Sequence, residues 1–256
     1  MVLLLLCRFN LTECNAKLIP ADPNGRLTSL MCLVDETAAE MMTAVPYREA
    51  VGCLMYIMVL SRPDIAFAVS QVAQYCQNPG PAHWKGVQRI FSYLHGKSHY
   101  GLCFNWNTKD DLTGYKDADY AEDLDTRKST SGYVSIYQGG AVSWASRRQR
   151  CTSLSTTESE FVAACETAKE AIWIQRLLSE IKNSEVKTVQ ILCDNQSSIS
   201  LIRNPEHHQK TKHIEVKYFF VRDQQKSGKI KCDHPFPNLS RRSAQTFLLS
   251  PLSLSL

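Results

Sequence analysis

Three acidic residues stand where carboxylates can act as ligands: Asp117, Glu160 and Asp194. Asp194 directly follows the apolar run at 189–193 and precedes a short helical pattern. Ligands of open α/β sheets gather at such carboxyl ends of strands, and a carboxylate there is a good metal ligand. The same position suits a helix N-cap, a role Asp often fills. Glu160 falls in the first turn of a long amphipathic segment at 157–182. Ser155 with Glu158, and Thr157 with Glu160, both match the S/T-x-x-E capping pattern, so capping alone accounts for either glutamate. Its neighbour Phe161 turns Glu160 toward a sheet. Asp117 and Asp119 lie inside a strand pattern, where acidic residues are depleted. A solvated edge face is the plainer account of that pair.

The elements that must position these groups follow from periodicity. Residues 112–120, 132–138 and 141–145 read as strands, with Gly139 and Gly140 as a hairpin turn between the last two. The segment 157–182 carries Phe161, Cys165, Ala168, Ile172 and Ile181 at three- and four-residue steps, the mark of an amphipathic helix. A strand at 189–193, a short helix at 197–202, a helix at 211–225 and a last strand at 228–232 complete an α/β order with an antiparallel hairpin edge. Upstream, 47–60, 65–77 and 83–94 read as helices. Val51, Leu54, Met55 and Met58 share a face of the first, and Trp84, Val87, Ile90, Phe91 and Leu94 a face of the last. This gives an irregular segment at 1–46, a helical module at 47–100, an α/β domain at 101–231 and a divergent, disordered tail at 232–256.

Composition bounds the class. The 256 residues suffice for a sizeable core. A net charge of +4 is a mild basic bias, short of the field of a protein that coats nucleic acid. The ten cysteines contain no C-x-x-C pair, which argues against a zinc site and for a reducing, intracellular setting, cytoplasmic or nuclear. The apolar start at residues 2–6 is too short for a signal peptide and lacks a basic leader, and no stretch is long enough for a membrane span.

Taken together, the motifs resemble a known family. Residues 114–119, "RKSTSGYV" at 127–134, "LSTTESEFVA" at 154–163, "ILCDNQSSI" at 191–199 and "TKHIEVKYFFVRD" at 211–223 are similar to the ribonuclease H domain of copia-type LTR-retrotransposon Pol polyproteins. "VPYREAVGCLMY" at 45–56, "RPDIAFAVSQVAQYCQNP" at 62–79 and "AHWKGVQRIFSYLHG" at 82–96 resemble the segment joining reverse transcriptase to that domain. The resemblance implies an α/β, ribonuclease H-like mixed sheet with flanking helices. It implies Asp117, Glu160 and Asp194 as the catalytic, metal-holding carboxylates, for Mg²⁺ or Mn²⁺. The implied reaction is hydrolysis of the RNA strand of an RNA–DNA hybrid, a substrate read by its 2′-OH groups and helix shape. Arg147, Arg148, Arg150, Lys210, Lys212 and Lys217 either meet phosphates or form a solvated surface. His213 is either a mobile proton shuttle or a structural histidine.

Two departures limit the resemblance. No Y-x-D-D stretch is present, so reverse transcription by this chain alone is not expected. The family's further acidic residue, in an N-x-A-D-like stretch after the last strand, is also missing, and Glu215, then Asp223, are its substitutes by position. The alternative to an enzyme impaired by its altered C-terminus is a non-catalytic nucleic-acid-binding remnant. The composition change after Lys231 reads as a frameshift, altered splice or truncation. Sequencing the transcript across the Lys231 codon is expected to reveal that discontinuity, and an uninterrupted frame shared by homologous copies overturns it.

Overall fold

A computed structural model of the chain describes residues 2–23, 25–32, 40, 42–107, 111–185, 187–203 and 215–234, the side chains of 215–218 excepted. It divides after Leu102 into two compact units. In the first, apolar periodicity builds helices α1 (Val2–Arg8), α2 (Tyr47–Ser61), α3 (Ala66–Ala73) and α4 (Pro81–Gly96). Leu6, Leu54, Ile57, Val69, Val87 and Phe91 meet in their shared core. Pro63 opens a 3₁₀ turn at Pro63–Ile65 ahead of α3. Within that turn Asp64 accepts from the Arg62 guanidinium at 2.7 Å and from the Tyr93 hydroxyl at 2.8 Å. A buried arginine is thereby fully paired.

The second unit is built on a five-stranded sheet of β1 (Thr113–Ala118), β2 (Thr130–Tyr137), β3 (Gly140–Arg148), β4 (Val189–Leu192) and β5 (Ile230–Asp233). Their order is β3-β2-β1-β4-β5, so β1 is central. β1 pairs antiparallel with β2 and parallel with β4, and β4 parallel with β5. The parallel β1–β4 pair needs a crossover, which includes helix α5 (Thr156–Lys182). Helices α6 (Gln196–Arg203) and α7 (Glu215–Lys226) lie between β4 and β5 in the chain. Phe161, Cys165, Ile191, Ile199, Val221 and Ile230 form the core between the sheet and these helices. The mixed sheet with flanking helices is as the sequence implies. Among the described residues, no helix is long and apolar enough to cross a membrane.

Several local expectations need correction. The irregular 1–46 segment contains α1, whose Leu6 is fully buried in the first core. The hairpin turn sits one residue earlier than expected. Gln138 and Gly139 carry the positive φ angles, 48° and 75°, while Gly140 already pairs with Tyr137. Two consecutive left-handed residues match the right-handed twist of the flanking strands. Gly140 is required for another reason: a Cβ there would lie 2.5 Å from the Phe104 ring. β3 runs on to Arg148, because its pairing with β2 continues to Thr130. The tail expected from 232 first completes β5, with Cys232 buried; residues 235–256 lie outside the described residues. Met55 and Ile181 are exposed rather than inward, and Ile57 takes the place of Met55 in the core.

Burial sets a clear contrast. Ile191→Ala removes a fully buried side chain and is expected to destabilise the second unit by about 2–5 kcal/mol. Ile181→Ser, at the exposed end of α5, is expected to stay within about 0.5 kcal/mol of the wild type. Urea unfolding followed by circular dichroism separates the two.

Candidate metal centre

The register of the parallel pair sets the site. Tyr115 lies opposite Leu192, the last residue of β4, so Asp117, within β1, and Asp194, just past the end of β4, each stand two residues beyond that pair. Glu160 comes from the first turns of α5, which packs on β1 and β2. The helix can lie close because its inner face carries Ala163, Ala164, Ala168 and Ala171, all fully buried. Gly114 in β1 contributes to the same closeness: a Cβ there would be 3.1 Å from Thr167 Cγ2. Thr167 is two helical turns beyond Glu160 and on the same face. One carboxylate oxygen from each of Asp117, Glu160 and Asp194 falls within 4.8 Å of the other two.

Neighbouring residues occupy the roles that offered plainer accounts of these carboxylates. The N-cap of α6 is Asn195, whose Oδ1 accepts from the Ser198 backbone N–H at 2.9 Å. Asp194 is therefore not the cap. At the start of α5, Ser155 Oγ accepts from the Glu158 N–H at 3.2 Å, and Glu158 Oε2 accepts from the Leu154 N–H at 2.6 Å. Glu158 is the capping glutamate, and Glu160 points into the sheet. β1 is central, so Asp117 does not sit on an edge strand. Asp119 accepts from the Thr130 N–H at 2.5 Å. Burial raises its carboxyl, the Thr130 bonds pull it down, and Glu122 and Asp117 push it up, for a net value of about 6.

Lys116 was not singled out by the sequence reading. It lies in β1 beside Asp117, buried, and its Nζ is ion-paired with Glu160 Oε2. The same Nζ donates to the Glu160 carbonyl oxygen at 3.3 Å. Burial disfavours its charge, but Cys193, Glu160 and Asp194 outweigh that and hold its pKa above the ordinary lysine value. Burial likewise raises Glu160, Lys116 pulls it down, and Asp194 and Asp117 push it up, which together place its carboxyl at about 7. Three carboxylates facing one ammonium leave an excess of negative charge. Among the described residues, Asp194 Oδ1 is buried without a hydrogen-bond donor. A buried acceptor without a donor is costly unless a cation meets it. The donor set is all oxygen, which suits a hard divalent ion. These residues fit a hard divalent cation.

The remaining candidates divide. Arg147 and Arg150 are exposed at and just beyond the end of β3. Arg148 is exposed too, but its guanidinium is held by Asp123 at 2.9 Å. Asp223 is exposed on α7 and is not one of the converging carboxylates. Glu215 and Lys217 belong to the first turn of α7, with side chains outside the described residues; Lys210, Lys212 and His213 lie outside them altogether. The His234 ring donates through Nε2 to the Asp194 carbonyl at 3.1 Å, a contact for which the sequence offers no periodic signal.

No family model matches the chain. It is 44% identical over 216 residues to the retrovirus-related Pol polyprotein from transposon TNT 1-94 of Nicotiana tabacum, covering 84% of this chain and 16% of that protein. It is 32% identical over 230 residues to the corresponding polyprotein from transposon RE2 of Arabidopsis thaliana, covering 90% and 15%. The chain thus spans only a small part of the polyproteins it matches. It is also 46% identical over 133 residues to secreted RxLR effector protein 161 of Plasmopara viticola, covering 52% of this chain and 94% of that one. Similar solved structures include a ribonuclease H1 isolated from compost, at 13% identity and TM-score 0.38, covering 53% of this chain and 89% of that one. A foamy viral protease-reverse transcriptase in complex with RNA/DNA hybrid is 14% identical at TM-score 0.43, covering 82% and 28%.

The raised Glu160 pKa has a defined sign. A carboxyl whose folded pKa lies above its unfolded value favours folding while protonated, and that contribution is lost as pH rises through the folded value. With chelator present, stability of the wild type relative to Glu160→Gln is expected to fall as pH rises from the ordinary glutamate value of 4.5 through about 7. Urea midpoints at each pH check this; a difference that is constant or runs the other way contradicts it.

Proposed function

The chain belongs to the retrovirus-related Pol polyproteins of copia-type transposons, and we propose that its second unit is a ribonuclease H-like domain that hydrolyses the RNA strand of RNA–DNA hybrids. The observation that carries this reading is the convergence of Asp117, Glu160 and Asp194 at the ends of β1 and β4 and the start of α5, with a buried Asp194 oxygen that has no donor among the described residues. Asp117, in β1, and Asp194, just past β4, would hold the cation on one side, and Glu160 would hold it from the helix. Mg²⁺ or Mn²⁺ bound there supplies activation of water and charge relief at the departing 3′ oxygen. Asn195 and Glu158 position these ligands by fixing the helix ends beside them. Arg147 and Arg150 offer charge to the backbone phosphates of a hybrid, which is recognised by shape and 2′-OH groups. An intracellular setting, cytoplasmic or nuclear, goes with this substrate and with ten free thiols.

The decisive experiment is cleavage of a labelled RNA–DNA hybrid by the full chain with Mg²⁺. Asp194→Asn keeps the shape and removes the charge. It is expected to lower the cleavage rate about 100-fold or more, the scale of losing a few kcal/mol of transition-state stabilisation. Equal rates for wild type and variant would sink the nuclease reading. Salt-sensitive hybrid binding without cleavage in either would instead support a binding remnant.

A further inference from the structure

Lys116 poses a problem that the nuclease reading does not absorb. Its side chain is completely buried in the middle of a sheet, 0% exposed, and its partner Glu160 is 8% exposed. A buried ion pair is seldom better for stability than well-packed apolar residues, because desolvating both charges offsets their attraction. Here the ammonium is placed on a carboxylate cluster with charge to spare. Beyond Glu160, Cys193 and Asp194, just past the end of β4, also favour its charge. One of the three carboxylates that can hold a cation therefore already holds one, supplied by the chain.

We propose that Lys116 is a built-in rival to the divalent ion. Its ammonium occupies the Glu160 oxygen, so an ion binding to Asp117, Glu160 and Asp194 must displace it. The inference rests on the metal-site reading of those three residues. Two consequences follow. The cluster is partly neutralised without metal, so the unit can fold in a chelated solution. Divalent binding is weaker than the three carboxylates alone would give, because the ion must break the Lys116–Glu160 pair and is then repelled by the displaced ammonium left nearby in a poorly screened interior.

The test is Mn²⁺ binding to the full chain by titration calorimetry, with no nucleic acid and no turnover. Lys116→Met keeps most of the side-chain stem and removes the charge. It is expected to tighten Mn²⁺ binding by about tenfold or more, equivalent to about 1.4 kcal/mol. Lys116→Arg keeps the charge and is expected to bind no more tightly than the wild type. In a Glu160→Gln background, Lys116→Met is expected to give little of that gain, since the rivalry is over that carboxylate. Mn²⁺ binding by wild type and Lys116→Met with equal affinity overturns the role of Lys116 and leaves the metal site standing. Failure of folded Lys116→Met to bind Mn²⁺ overturns both. Should Lys116→Met not fold, the wild-type chain still answers through the ¹⁵N resonance of the Lys116 ammonium. Saturating Mg²⁺ is expected to shift it, and a resonance that stays put overturns displacement.

Discussion

The parallel pairing of β1 with β4 is the constraint on which the site depends. With Tyr115 opposite Leu192, the last residue of β4, the register brings Asp117 in β1 and Asp194 just past β4 to one place. A slip of one residue would turn every side chain of a strand to the opposite face. The register is held from several sides: β2 pairs with β1 across six positions, Ile191 is locked in the core, and β5 closes the far side of β4. The third ligand depends on the same sheet, because the α5 helix that carries Glu160 is seated against β1. Gly114 and the buried alanines set how near that helix comes.

Around this frame, the polar residues next to each carboxylate divide the work. Helix ends need donors and acceptors for their unpaired backbone groups. Asn195 serves α6, and Ser155 with Glu158 serves α5. Asp119 ties β1 to the start of β2 through Thr130. Asp194 and Glu160, relieved of capping, face one another across a small space where burial and mutual repulsion raise the Glu160 carboxyl. Lys116 is the counterweight. Its ammonium relieves part of the repulsion, which accounts for a fully buried lysine in a central strand.

Much of this was legible in the sequence, and what was not has identifiable causes. Phe161, Cys165, Ala168 and Ile172 follow a helical period and are buried, because the long helix has one face on the sheet. The three carboxylates could be singled out through ordered motifs, yet none could be separated from capping or edge roles locally. That separation needed the hydrogen bonds of Asn195 and Glu158. Lys116 gave no signal, since one polar residue in a strand is common and only its partner Glu160 on α5 reveals why it is buried. Ile181 and Met55 fit the helical period but face outward. The hairpin turn was displaced by one residue, because Gln138 adopts a left-handed conformation that a non-glycine residue seldom takes.

The crossover from β1 to β4 also bears on how the domain comes into being. Between the two strands lie β2, β3 and α5, and closing that long loop costs chain entropy that only the completed sheet repays. The β2–β3 hairpin rests on contacts between residues near in sequence; the Asp117–Asp194 approach does not. The acidic pocket is therefore absent from any chain whose sheet is unfinished. A nascent or damaged copy presents scattered single carboxylates to the cell's divalent ions, and the concentrated charge arises only with the finished fold.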